Sequence, residues 1–261
     1  MNDATIRARD AGVAALLERV RRAVAAQPAS AMNAVDLSIA RRTSASNSDL
    51  ATIFATRASS VGMRVTRCAS DALHTTVAAI MRAHADTSMP NQTLRTVVAI
   101  RDASLAQRMR DCLSSCPATL ARDDDADGLF DCDVGITDVD CAIADSGSLV
   151  ISTIGRMRNA WITPPIHLAI VFESQILADL VDLFESRNEC TTAASTTIIT
   201  GPSKTADIEG VLVTGVHGPA YVEIVLVADE SKHVTNESKH VTDESKHFTD
   251  ESKHVADAPK R

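Results

Sequence analysis

The segment GPSKTADIEG gathers Ser203, Lys204, Thr205, Asp207 and Glu209 immediately behind a glycine-proline turn at Gly201. A second turn, HGP, brings His217 close by in sequence. Hydroxyls, an ammonium and an imidazole beside a turn are the groups that bind a small carboxylate or phosphate. Two β-branched runs, Thr196 to Thr200 and Tyr221 to Val227, bracket these turns and have strand composition. Between them, Ser203 or Thr205 would cap a helix that Asp207 or Glu209 enters and Gly210 ends. A helix N-terminus following a buried strand aims backbone N–H groups at one point, which suits an anion, and Lys204 would add charge. A well-capped turn without a ligand fits the same residues. His217, between Gly215 and Gly218, is either a functional imidazole or a structural one bonded to Asp145 or Asp207.

Other polar groups fall at the ends of apolar runs. Asp145, Ser146, Gly147 and Ser148 form a turn between two short strands within Asp131 to Thr153. Gly147 there allows a positive φ or the close approach of a ligand. Arg156 lies in a following loop, and His167 opens an apolar strand as a satisfied core or strand-edge residue. Asp123, Asp125, Asp127 and Gly128 imitate the first half of a calcium loop. The twelfth place holds Val134 instead of a glutamate, so an acidic turn is the better reading. No nucleophile elbow, zinc helix or dinucleotide loop occurs, and neither a metal nor a cofactor is called for.

The elements that would position these groups alternate. Apolar periodicity predicts helices over 49–60, 71–84, 104–113 and 174–185, the last capped by Ser174. Strands are predicted over 63–68, 93–100 and 167–172. This order implies βαβ units, hence an α/β fold with a mainly parallel sheet flanked by helices. Residues 4–26 read as an amphipathic helix that packs on the domain or reaches a neighbour, and 27–48 as a loop. The expected organisation is 1–48 for that helix and loop, 49–228 for the α/β domain, and 229–261 for a tail.

The tail repeats one heptapeptide four times, DESKHVT with small changes. Each repeat offers a single apolar residue where a coiled-coil seam needs two, so disorder is expected. His233, His240, His247 and His254 are too dispersed for a metal site.

Composition narrows the class further. The 261 residues include one Trp and one Tyr, so the core must be built from Ala, Val, Ile and Leu. A net charge of -8 argues against a nucleic-acid partner. No apolar run reaches the ~20 residues of a membrane span. The arginine-rich start contains Asp3, Asp10 and Glu18, which favours a folded helix over a transit peptide and a cytoplasmic location. The six cysteines show no disulfide framework and no cluster-binding run.

GPSKTADIEG with GVHGP resembles the C-terminal signature of the LUD-domain family. VGITDVDCAIADSGSLVI (134–151) and PPIHLAIVFESQI (164–176) are similar to two further signatures, in the same order. The likeness runs roughly over 6–228. Where the family usually has Glu and Thr, this chain has Asp145, Ser146 and Ser148, and the Asp carboxylate sits one methylene further back.

The resemblance implies the fold of the sugar-phosphate isomerase and coenzyme A transferase superfamily. It also implies a role in bacterial oxidation of L-lactate to pyruvate, beside partner proteins that carry iron–sulfur motifs. Two functions follow as expectations. One is an accessory subunit binding a small carboxylate or phosphate. The other is a stand-alone isomerase or acyl-transferase-type enzyme using Asp145 or Glu209.

Overall fold

A computed structural model describes residues 3–26, 47–88, 93–123, 128–186, 190, 192–208 and 211–229. In chain order it contains α1 (Asp3–Ala25), α2 (Asn47–Ser60), β1 (Arg64–Ala69), α3 (Leu73–Ser88), β2 (Leu94–Ala99) and α4 (Ala103–Leu113). Then come β3 (Ala118–Leu120), β4 (Val134–Asp138), β5 (Cys141–Ile143), β6 (Ser148–Ser152), α5 (Asn159–Ile162) and β7 (Ile166–Phe172). The rest are β8 (Ile176–Leu177), α6 (Leu180–Ser186), β9 (Thr196–Ile199), β10 (Lys204–Ile208), β11 (Val211–Thr214) and β12 (Tyr221–Ala228).

Six strands form one sheet in the order β1-β12-β7-β4-β2-β3, every neighbouring pair parallel. Both faces are covered, which is why β7 and β12 read as almost unbroken apolar runs. On one face Leu73, Val77 and Met81 of α3 and Leu105 and Met109 of α4 pack against Val98, Ile136, Ile170 and Val225. On the other, Phe54 of α2, Trp161 of α5 and Leu149 and Ile151 of β6 meet Val97, Ala169, Val171 and Ile224. Residues one apart in a strand therefore serve different cores. The second sheet, β8-β5-β6-β9, is mixed, and β10 with β11 is a separate antiparallel hairpin.

The helices expected over 49–60, 71–84 and 104–113 are present, with Asp102 capping α4 by accepting from Leu105 N at 2.7 Å. Three expectations need correction. The helix expected after Ser203 is a strand: Lys204 stands opposite Thr214 and Thr205 opposite Val213. Its neck is closed by Ser203 N donating to Pro219 O and Gly215 N donating to Ser203 O, both at 2.9 Å. The β-branched run 211–214 supplies a pairing partner, and that cross-strand ladder outweighs the local capping signals. The helix expected from Ser174 begins instead at Leu180, where Asp179 Oδ1 accepts from Val181 N and Asp182 N. Ser174 bonds Asp229. Finally, 131–153 holds three strands rather than two, because β4 ends at Asp138 and β5 starts a new sheet.

Helix α1 is present over nearly the expected span, and its Val13, Leu16, Leu17 and Val20 are exposed. No helix is long and apolar enough to cross a membrane among the described residues. The centre of the calcium-like turn, the tail beyond Asp229 and residues 27–46 of the loop expected over 27–48 lie outside the described residues, while residues 47–48 of that loop are helical in α2.

Candidate functional site

The two glycine-proline turns converge. Gly201, at φ +109°, turns the chain away from β9 so that Ser203 comes to face the His217–Pro219 turn. A cavity of about 220 Å³ results, lined by Trp161, Ile199, Thr200, Gly201, Ser203 and His217 among others. One side is apolar, while Thr200, Ser203 and His217 contribute hydroxyls and an imidazole. The third turn is joined to it by a hydroxyl chain: Ser146 Oγ to Ser148 Oγ and Ser148 Oγ to Thr200 Oγ1, each 2.7 Å.

The remaining expected residues stand elsewhere. Asp145 is exposed; its backbone N–H donates to Ala178 O at 3.0 Å, and its carboxylate does not line the cavity. Among the described residues no hydrogen bond joins Asp145 to His217. Gly147 has the positive φ expected, +68°, but what approaches it is α2 and not a ligand. A Cβ there would lie 2.3 Å from Ala58 N. Lys204 is exposed, its ammonium 3.8 Å from the place of a Cβ on Gly62, and it does not line the cavity. Thr205 is half-buried in β10. Asp207 is placed in β10 by its backbone alone, and Glu209 lies outside the described residues. The helix N-terminus that was to attract an anion is absent, so the cavity depends on hydrogen bonding rather than on a fixed positive charge.

A second constellation escaped the sequence reading. Arg156, whose side chain is 1% exposed, donates through Nη1 to the Asp138 carboxylate and carbonyl, and through Nη2 to Asp140 at 2.7 Å. Arg101 Nη1 reaches the other oxygen of Asp140 at 2.6 Å. Ser152 donates to Asp140 through both backbone and hydroxyl. Two cations thus face two carboxylates where β4 ends, with the Arg156 guanidinium 5.9 Å from the Trp161 ring centre. The signal was available as two aspartates spaced by one residue at the end of a buried strand. Their partner, however, is eighteen residues away from Asp138. No group of three or more His, Cys, Asp or Glu side chains among the described residues is arranged to hold a metal ion.

His167 is fully buried beside this cluster. Its Nε2 lies 2.9 Å from Thr137 Oγ1, and Nδ1 has no partner. Burial first, and the Arg156 charge second, push its pKa down to about 3. The ring is therefore neutral when folded and protonates near 6.5 when unfolded. Below pH 6.5 the unfolded chain binds the extra proton, so stability falls with pH until the folded ring also protonates near 3. The contribution is about 1.4 kcal/mol per pH unit across that window. Urea titrations of wild type and His167→Gln should show it as a difference in slope; parallel pH dependences would contradict it.

The model of the LUD domain family matches residues 51–227. The chain belongs to the LUD-domain family. The matched span starts in α2 and leaves α1 outside. Lactate utilization protein C of an Exiguobacterium species is 36% identical over 103 residues, covering 37% of this chain and 45% of that protein. Its namesake from Bacillus subtilis is 37% identical over 102 residues, 37% of this chain and 42% of that protein. The chain thus spans less than half the length of these curated relatives. A crystal structure of a DUF162 family protein from Deinococcus radiodurans matches 70% of this chain and 99% of its own, at 17% identity and a TM-score of 0.51. That likeness concerns the fold, and it agrees with an α/β domain built on a parallel sheet.

Proposed function

We propose that this LUD-domain protein is a lactate utilization protein C-like accessory subunit of a system oxidising L-lactate to pyruvate. It works beside iron–sulfur partner proteins and takes a small organic acid into the cavity at Ser203 and His217. One observation carries the reading: two family-like turns meet at that cavity, and the third reaches it through the Ser148–Thr200 hydrogen bond. The hydroxyls of Thr200 and Ser203 and the His217 imidazole suit the hydroxyl and carboxylate of a 2-hydroxy acid. Trp161 and Ile199 suit its apolar end.

The alternative, a stand-alone isomerase or acyl transferase using Asp145 or Glu209, has less support. An effective acid or base is held by a partner and kept within reach of substrate. Asp145 is exposed, and no side-chain hydrogen bond orients it among the described residues.

The test is growth on L-lactate of a bacterium deprived of its own lactate utilization protein C. The full chain should restore growth. Ser203→Ala and His217→Ala, folded by circular dichroism, should each weaken the site roughly tenfold, the worth of one hydrogen bond to a charged group. Growth should then fail at limiting lactate. Variants growing like wild type would refute the cavity's part.

A further inference from the structure

The order of the parallel sheet reverses around β2. The chain passes from β2 outward to the edge strand β3, then returns to lay β4 on the other side of β2. In open α/β sheets a crevice opens outside the carboxyl ends of the strands at such a reversal, and ligands bind there. A crevice of about 410 Å³ lies at this place, lined by Ala99 and Ile100 at the end of β2 and by Thr153, Gly155 and Arg156. Asp123 also lines it, 3.8 Å from Arg110.

Arg156 gives the crevice its chemistry. Both terminal nitrogens are committed to Asp138 and Asp140, which hold the guanidinium in one orientation. Its Nε–H is buried and has no acceptor. An unsatisfied buried donor costs about 1–3 kcal/mol, and a donor on a cation more. Arg156 lines the crevice, and an oxygen acceptor admitted there, with the small local opening that a buried Nε–H requires, would remove that cost. Arg101 stands alongside: its Cγ is 3.7 Å from where a Cβ on Gly155 would lie, and its side chain is 31% exposed. Among the described residues its Nη2 makes no hydrogen bond or ion pair, so this nitrogen can donate to a guest.

We propose that this crevice is a second small-molecule site, which accepts a carboxylate or phosphate group on Arg156 Nε–H with Arg101 at the mouth. It shares no lining residue with the Ser203–His217 cavity, and it stands whether or not the lactate reading holds.

The test is calorimetric titration of the full chain with sodium phosphate and, separately, sodium oxalate, at fixed ionic strength. Either anion, or both, should bind saturably, and which one binds identifies the group recognised. Arg101→Met should weaken binding at least about tenfold, in line with a charge-assisted hydrogen bond. Ile100→Trp, which fills the crevice and leaves the charges in place, should abolish binding and guards against misfolding of the first variant. The titrations are also run in the His217→Ala background, which weakens the Ser203–His217 cavity, so that the binding event that remains is the crevice's. The proposal is overturned if neither anion binds by roughly 10 mM, a free energy below about 3 kcal/mol. It is equally overturned if folded Arg101→Met or Ile100→Trp protein keeps the crevice's binding event at wild-type strength, or if His217→Ala alone removes all binding.

Discussion

Replacing Arg156 with methionine should destabilise the protein by about 3–5 kcal/mol, the cost of breaking a buried ion pair from one side. Methionine roughly preserves the volume beside Trp161, so the loss reads charge and hydrogen bonding rather than a cavity. It leaves Asp138 and Asp140, 12% and 4% exposed at their side chains, with Arg101 as their remaining cation. Ser152 still donates twice to Asp140, yet among the described residues Asp138 keeps only Arg101, through its backbone N–H and Nε at 3.3 and 3.4 Å. Guanidinium denaturation should show the midpoint falling with an unchanged slope. A second change, Asp138→Asn with Asp140→Asn, should recover part of the loss by removing the stranded charges. A loss under about 1 kcal/mol, the worth of a surface pair, would mean that the cluster is solvated and not the anchor of β4.

Gly135→Ala should cost about 3 kcal/mol, the upper part of the range for overpacking a tight core. A Cβ on Gly135 would lie 1.8 Å from the carbonyl oxygen of Ala160 and 3.0 Å from its carbon. Backbone cannot step aside as a side-chain end can, so α5 must move away from β4. That helix carries Trp161, which is fully buried, donates to Thr197 Oγ1 at 3.2 Å and lines the Ser203–His217 cavity. The substitution should therefore shift tryptophan fluorescence as well as lower the melting point, and the sole tryptophan makes the signal unambiguous. A variant with wild-type stability and unchanged fluorescence would show that α5 does not rest on β4.

The parallel sheet was legible because strands buried on both faces announce themselves. The apolar residues of β2, β7 and β12 leave few other readings, and the alternation with α3 and α4 imposes parallel pairing. The turn at Asp145 to Ser148 was equally visible, since Gly147 sits between two short strands. What stayed hidden depends on contacts between distant residues. Thr205 and Asp207 satisfy the rules for a helix start, and only pairing with Val211 to Thr214 makes that segment a strand. Lys204 was assigned to the site on that helical expectation and left it when the hairpin formed. Arg156 stood out only as a polar group at a loop end, because nothing local marks a guanidinium that will be buried between two aspartates. Gly147 shows a subtler limit: the positive φ was readable, but not that α2 would occupy the space it frees. Of the residues the sequence offered, Gly201, Ser203 and His217 line the cavity, whereas Thr200 and Trp161, which line it too, carried no local signal.

We propose a working association of this chain with iron–sulfur proteins during L-lactate oxidation. Its most direct test is affinity purification of the full chain from L-lactate-grown cells in which it replaces their own lactate utilization protein C. The eluate is assayed for bound iron and for pyruvate formed from L-lactate. Co-purified iron–sulfur proteins and pyruvate formation by the assembly are expected, with neither iron nor turnover in the isolated chain. An iron-free chain recovered alone would contradict it, as would turnover by the chain without partners.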